Sequence, residues 1–528
     1  MKILVAETLA PAGLEMLKAQ SGWEVVVSNP KEYQQHLADC EALLVRSAVK
    51  VTREVLAQAP KLRVIGRAGV GVDNVDLAAA TEAGILVMNT PGGNAVSVAE
   101  HTLALMLALA RRIPQASAST KSGKWEKKKF LGHELRGKTL GVIGLGSIGR
   151  EVVRRARAFE MRILASDPYV TSQTASDLNV ELVDLKHLYA ASDIITLHLA
   201  LTPETKKLIS AEAFAQMKDG VLFLNCARGE LVDPDALRAA LESGKVAGAG
   251  LDVFSPEPPP EGYPLFQFDN VIATPHIGAS TEEAQEIVGI RIVEQLIEYL
   301  QNGVAVNAVN MPALTPEEYK ALAPYVTLAE RLGNFAAHVA TGNPRAVRLS
   351  YCGKIGEGNT NLLRNAGLAG VLNRWLSARA NLVNALQIAR QRGLEISEKR
   401  EQRCGRIDSI RLELETEVGA TRVEGALVLD RPSLIQVDGI PAEVSLSGHL
   451  IYMRNVDVPG VIGHVGTVLG NNGINIANFS LGRQETTPAG QPREAIAVVE
   501  TDTQVPEPVL AQLRENKAVK QACVVEFL

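Results

Sequence analysis

Residues 139–150 read TLGVIGLGSIGR: an apolar run, three glycines in quick succession, then the start of an amphipathic stretch. That pattern predicts strand, tight turn and helix in direct succession. A helix opening straight after such a turn offers unpaired N–H groups and the positive end of its dipole, which suits a phosphate. Gly144 permits the turn, Gly146 lets a pyrophosphate approach the backbone, and Gly149 lets helix and strand pack closely. A second apolar run, Met161 to Ala165, leads to Asp167, roughly 20 residues on, where a ribose-binding acid belongs. Its carboxylate accepts from a 2′-hydroxyl and repels a 2′-phosphate, and Pro168, Tyr169 and Val170 bring no cation. The expected cofactor is therefore NAD.

Short Val/Ile/Leu runs alternate with helical patterns on both sides of this motif. They occur at Ile3–Ala6, Glu24–Val27, Ala42–Val45, Arg63–Ile65 and Ile85–Met88, then at Ile194–Leu199, Val221–Cys226, Gly248–Val253 and Val271–Thr274. Near-continuous aliphatic runs fit parallel strands buried on both faces, so two doubly wound α/β domains are expected. A helical pattern over 283–300 returns the chain to the first domain. That domain is then discontinuous (1–97 and 287–310), with a cofactor domain (98–286) inserted into it. Turn residues from Asn310 open a third region, 311–446, with an extended stretch at Ala346–Ile355, a long helical stretch from Leu362 to Arg392, and period-two alternation at 409–416. The last region, 447–528, reads strand, turn, helix, strand, with Asp457-Val-Pro-Gly460 at its first turn.

A length of 528 residues suits three or four domains. Net charge is −5 and the only compact basic run is Lys127–Lys129, so no nucleic-acid partner is expected. The five cysteines stand apart, which predicts reduced thiols in a cytoplasmic protein with neither a disulfide framework nor a metal site. Met1-Lys-Ile-Leu-Val-Ala reads as a strand rather than a leader. The most apolar helix, Val96 to Ala110, carries Glu100 and His101 and is too short to cross a bilayer.

Ligands of open α/β sheets gather at strand C-termini. Arg228 follows VLFLNCA, Asp252 closes GAGLD, His276 follows VIATP, and Glu257 lies in the loop SPEPPP. Together they suit oxidation of a 2-hydroxy acid. Arg228 offers a planar fork to the substrate carboxylate. His276 takes the hydroxyl proton, and Glu257 fixes its tautomer and raises its basicity. Asp252 accepts from the nicotinamide carboxamide. Arg46 and Arg67, each at the end of an apolar run, supply cations for a phosphate.

The segments NCARGELVD, GLDVFSPEPP and TPHIGASTEEAQ resemble the signatures of the D-isomer-specific 2-hydroxyacid dehydrogenases. VRSAVKVT, GRAGVGVDNVD and MNTPGGNAVSVAEHT resemble its phosphoglycerate-oxidising branch, over essentially the whole chain. The resemblance implies 3-phosphoglycerate as substrate, with Arg228, Glu257 and His276 as the catalytic set and Arg46 and Arg67 as substrate contacts. It also implies Ser147 and Ile148 at the cofactor phosphates, and Cys226, Ala227, Asp252 and His276 to Ala279, including Gly278, along the cofactor. Two positions depart: Val70 and Leu199 stand where members often carry threonine.

The C-terminal region resembles an ACT domain, a βαββαβ amino-acid sensor. Carried over, Asn455, Asp457 and Asn475 would hold a small amino acid, L-serine first among them, between two paired domains; a pairing module with a degenerate site is the other reading. Region 311–446 resembles the α+β intervening domain of long members and shows no site. A homodimer or homotetramer is implied, with Lys127–Lys129 either reaching a neighbour's site or simply solvated. Rival functions are a glyoxylate or hydroxypyruvate reductase and an NAD-sensing corepressor.

Overall fold

The aliphatic runs form two parallel sheets in the computed structural model, which describes residues 1–312, 314–376, 379–401, 407–485 and 492–527. The first sheet contains β1 (Lys2–Val5), β2 (Glu24–Val27), β3 (Ala42–Val45), β4 (Val64–Arg67) and β5 (Leu86–Met88), in the order β2-β1-β3-β4-β5. The second contains β6 (Thr139–Ile143), β7 (Arg162–Ser166), β8 (Glu181–Leu182), β9 (Ile194–Leu197), β10 (Val221–Asn225), β11 (Val246–Leu251) and β12 (Val271–Ala273), in the order β12-β11-β10-β9-β6-β7-β8. Central strands such as Ile3–Val5 and Leu140–Ile143 are buried on both faces, as their unbroken apolar sequence requires.

Two loops carry the chain between these sheets. The first, 89–94, leads into the helix Ala95–Arg111, which packs Leu103 and Met106 against Leu140 and Val142 of the second sheet. The second, 274–281, leads into the helix Glu282–Asn302, which packs Val288, Ile292 and Leu296 against Ile3, Val5 and Val64 of the first. Residues 282–286 of that helix precede the expected boundary at 287. Ser97 Oγ lies 2.8 Å from Thr281 Oγ1, so the two crossings touch.

A third, mixed sheet follows. It comprises β13 (Pro344–Cys352), β14 (Glu395–Glu401), β15 (Ser409–Thr416), β16 (Ala420–Val428), β17 (Arg431–Val437) and β18 (Ile440–Ser445), in the order β14-β13-β15-β16-β17-β18. The helix Pro316–Val339 that packs against it has no counterpart among the expectations, although Thr315 and Glu318 close a capping box at its start. The expected continuous helix over 362–392 is instead two, Asn361–Leu372 and Ala385–Gln391. Asparagines break it: Asn373 Oδ1 accepts from Ala380 N (2.7 Å), and Asn381 Oδ1 accepts from Val383 N (2.9 Å). Such side chains offer the backbone an alternative to helical bonds.

The reduced-thiol expectation also fails at one position. Cys352 is disulfide-bonded, whereas Cys40, Cys226 and Cys523 are free and Cys404 lies outside the described residues. Separation along the sequence does not report the spatial approach that a disulfide needs.

The last sheet, β19 (Gly448–Val456), β20 (Ile476–Arg483), β21 (Glu494–Thr501) and β22 (Val519–Phe527), is antiparallel in the order β20-β21-β19-β22, with two helices in βαββαβ order. One face packs on those helices through Ile451, Met453 and Val499. The other, through Leu450, Tyr452, Ile496 and Phe527, joins the core built on Leu328, Leu332 and Phe335. The Phe335 and Tyr452 rings meet edge to face at 5.8 Å. The third and fourth sheets therefore share one hydrophobic core. Among the described residues no helix is long and apolar enough to cross a membrane.

Candidate active site

β6 runs into Gly144 and the helix Ser147–Ala158, as the glycine pattern requires. Gly144 has φ +97°, and a Cβ there would lie 2.4 Å from the His198 carbonyl oxygen. A Cβ on Gly149 would lie 2.0 Å from the Gly144 oxygen, so only glycine permits this close packing. At Gly146 a Cβ would meet nothing within 4 Å. The Gly146 backbone at the helix start is thus open to a pyrophosphate, with Ser147 and Ile148 in the first turn behind it. No side chain caps that helix, which leaves its first N–H groups for an anion.

Asp167 follows β7 and accepts from Leu145 N (2.7 Å) and Tyr169 N (2.8 Å). The two amides fix the carboxylate against the glycine turn and leave acceptor capacity for a ribose hydroxyl. Leu199 Cδ2 would stand 3.1 Å from a Cβ on Gly144, an apolar contact where a hydroxyl was the family alternative. The Val70 carbonyl is taken by the Asn89 amide. Arg150, which the sequence reading missed, donates Nε–H to the Leu145 carbonyl (2.9 Å) on the same turn.

At the far end of β10, Cys226 and Ala227 are buried, and burial pushes the Cys226 thiol up to about 12. Asn225 shapes the loop: its Oδ1 accepts from Ala227 N (3.0 Å) and its amide donates to the Arg228 carbonyl (2.8 Å). Asp252, 1% exposed, accepts from Thr274 Oγ1 (2.6 Å), Ile277 N (2.9 Å) and Gly278 N (2.8 Å), with His101 Nε2 at 3.3 Å. Burial alone would raise its pKa; the hydrogen bonds from His101, Thr274 and the two amides outweigh this and hold it below the ordinary aspartate range. Oδ2 accepts one bond, from Gly278 N. The bonds add a role that the sequence did not reveal, since Asp252 clamps the loop of His276, Gly278 and Ala279.

That loop holds His276 at φ +55°, a conformation rare outside glycine. Its Nδ1 lies 2.8 Å from Glu257 Oε2, and Glu257 Oε1 accepts from Phe254 N (2.9 Å). The Glu257 bond raises the imidazole pKa against the opposing effect of burial. Glu257 is itself lowered: burial works against this, but the His276 and Phe254 bonds prevail. A cavity of about 500 Å³ adjoins the pair, lined by Phe254, Pro258, Phe266 and Pro275.

Three cations converge from two sheets. Arg46 follows β3, Arg67 ends β4 and Arg228 follows β10. Burial, followed by the positive charge of Arg228 and, more weakly, Arg46, pushes the Arg67 guanidinium down to about 10. Its Nε is buried with no hydrogen-bond partner. Glu7 accepts from the amides of Arg46, Ala48 and Val49, which sets the loop that carries Arg46. Such a cluster can hold a dianion as well as a carboxylate.

The expected effector residues are not brought together within one chain. Asn455 and Asp457 lie before the helix Val461–Asn471 and Asn475 lies after it, a helix about 16 Å long. Asn455 is 3% exposed and its Oδ1 has no partner. Asp457 faces Arg483 at 3.5 Å, and Asn475 donates to Asp502 (2.7 Å). Lys127–Lys129 form an exposed turn beside Trp125, itself 78% exposed.

Residues 103–278 match the NAD-binding domain of the D-isomer-specific 2-hydroxyacid dehydrogenases, 321–438 the D-3-phosphoglycerate dehydrogenase intervening domain, and 449–518 the ACT domain. D-3-phosphoglycerate dehydrogenase of Methanocaldococcus jannaschii is 44% identical, over 100% of both chains. Among solved structures, a Thermus thermophilus protein matches with TM-score 0.54 and 38% identity, over 58% of this chain and 100% of its own. The NAD-dependent formate dehydrogenase of Staphylococcus aureus, in complex with NAD, matches with TM-score 0.52 and 32% identity, over 58% of this chain and 97% of its own.

Proposed function

The chain belongs to the D-3-phosphoglycerate dehydrogenases, long NAD-binding members of the D-isomer-specific 2-hydroxyacid dehydrogenase family, and from that premise we propose that it oxidises 3-phospho-D-glycerate to 3-phosphooxypyruvate, the entry step of L-serine synthesis. One observation carries the substrate: the crowded Arg67, its Nε unpartnered, beside Arg46 and across from Arg228. A substrate with a carboxylate at one end and a phosphate at the other suits cations on both sides of a cleft.

In this reading Arg228 binds the carboxylate and Arg46 and Arg67 the phosphate. NAD, when bound, supplies the hydride acceptor. His276 Nε2 takes the hydroxyl proton, and Glu257 on Nδ1 stabilises the imidazolium that results. Asp252 keeps the His276 loop in register. The products are the 2-oxo acid, NADH and one proton, so the step balances.

The same reading extends to a cytoplasmic homo-oligomer in which Asn455 and Asp457 of one copy face Asn475 of another around L-serine. The separation of these residues along one chain supports a site shared between two copies. The deciding experiment is NADH consumption with 3-phosphooxypyruvate, hydroxypyruvate and glyoxylate. A strong preference for the phosphorylated acid is expected. Equal or reversed preference moves the chain to the general reductases, and no turnover favours a sensor.

A further inference from the structure

Arg228 is held from the opposite side of the cleft. Its Nε donates to Asp73 Oδ2 at 2.9 Å, and its Nη2 lies 2.7 Å from the same oxygen. Asp73 belongs to the loop after β4 in the first sheet, whereas Arg228 follows β10 in the second. The third donor, Nη1, reaches the Ala227 carbonyl at 2.6 Å. A guanidinium has five N–H donors. With Nε and one Nη2 hydrogen used on the side-on edge and one Nη1 hydrogen on Ala227, one hydrogen is left on each terminal nitrogen, and Asp73 leaves the end-on edge clear. That is the edge a carboxylate engages bidentately.

The loop is built to admit this pair. A Cβ on Gly71 would lie 2.0 Å from Arg228 Nη2 and 2.8 Å from Asp73 Oδ2. Two residues earlier, a Cβ on Gly69 would lie 1.6 Å from Arg67 Nη1. One short loop thus makes room for two guanidiniums. Asp73 also brings negative charge between cations that repel each other, acting on Arg67 as well as on Arg228. The Asp73 side chain is 61% exposed, and an exposed ion pair contributes little to stability. Orientation is the role left to it.

We infer that Asp73 is a positioning residue for the reaction: it reaches across the cleft, takes the side-on fork of Arg228, and turns the end-on fork toward the substrate carboxylate. Gly71 is its steric counterpart. The inference rests on the proposed role of Arg228, and it concerns the carboxylate end common to every 2-oxo acid rather than the phosphate.

The test compares Asp73→Asn and Gly71→Ala with the parent chain. The first removes the charge that holds the fork. The second keeps the Asp73 charge and pushes the guanidinium, and to a lesser degree the carboxylate, out of place. Both should raise KM by about tenfold for 3-phosphooxypyruvate and for glyoxylate alike, the loss of one charge-assisted contact. NADH affinity, read by fluorescence titration, should not change. A merely structural role would not separate acid from nucleotide in this way. A fall in KM would mean that Asp73 competes with substrate, and an unchanged KM would mean that it does not orient Arg228; either overturns the inference. A parent chain that prefers glyoxylate would refute the phosphoglycerate reading, yet the Asp73 comparison would stand on glyoxylate alone.

Discussion

His276 Nδ1 stands 2.8 Å from Glu257 Oε2 while the His276 backbone is held left-handed at φ +55°. The bond fixes which nitrogen carries the proton and leaves Nε2 for the base role proposed above. The clamp from Asp252 to Ile277 N and Gly278 N holds the backbone where that nitrogen is useful. Tautomer and position are set by two different carboxylates.

The pH profile of the oxidation should report the first of these. His276 must be neutral to accept a proton, and its pKa is raised by Glu257. The rate should therefore fall as pH drops through a value above the ordinary histidine range. In Glu257→Gln that acidic limb should move to lower pH, and kcat should fall by about 100-fold. Initial rates across pH, in both proteins, check this.

Asp252→Asn should reveal the second. The amide would turn a donor toward either the Ile277 or the Gly278 N–H, so one clamp bond becomes a repulsion. We expect kcat to drop by about 100-fold with a smaller loss of thermal stability. Steady-state kinetics and a melting curve on one preparation separate the two effects.

Asp167→Ala should weaken NADH binding by about tenfold and narrow the preference over NADPH. Part of the loss comes from the glycine turn, because Leu145 N loses its acceptor. Fluorescence titration with both nucleotides measures it.

L-Serine should bind in calorimetry with heat that disappears in Asp457→Ala. No heat at millimolar serine, with the fold intact, would leave the C-terminal sheet as a pairing module. Sedimentation of the same samples gives the oligomeric state.

Phe335→Ala should destabilise the chain by about 3–5 kcal/mol, since Phe335 is fully buried against Tyr452. Because the third and fourth sheets share that core, they should melt in one transition. Separate transitions for these two sheets would contradict the shared core.

Much of this fold was legible because buried parallel strands leave a continuous aliphatic signature; Ala42–Val45 coincides with β3 residue for residue. The glycine turn was legible for a similar reason, since each glycine meets a local steric demand. What escaped depends on tertiary structure. The partner of Arg228 lies 155 positions away, and nothing near Asp73 in sequence announces it beyond the glycines of GRAGVGVD. His101 reads as a polar interruption of an apolar helix, and only folding puts it beside Asp252. The break between the two helices of the third region had a local cue, the asparagines at 373, 381 and 384, that helical periodicity hid.

The chain passes between the first two sheets only through 89–94 and 274–281, and Ser97, in the first turn of the helix after the first passage, meets Thr281 of the second. Any swing of one sheet relative to the other must turn about a line through both passages. Points on a rotation axis travel least. His276 lies on the second passage, while Arg46 and Arg67 belong to the first sheet. Any such turn would have to break or preserve the Asp73–Arg228 pair that spans the two sheets, so that pair sets how far the first sheet can swing while His276 keeps its place.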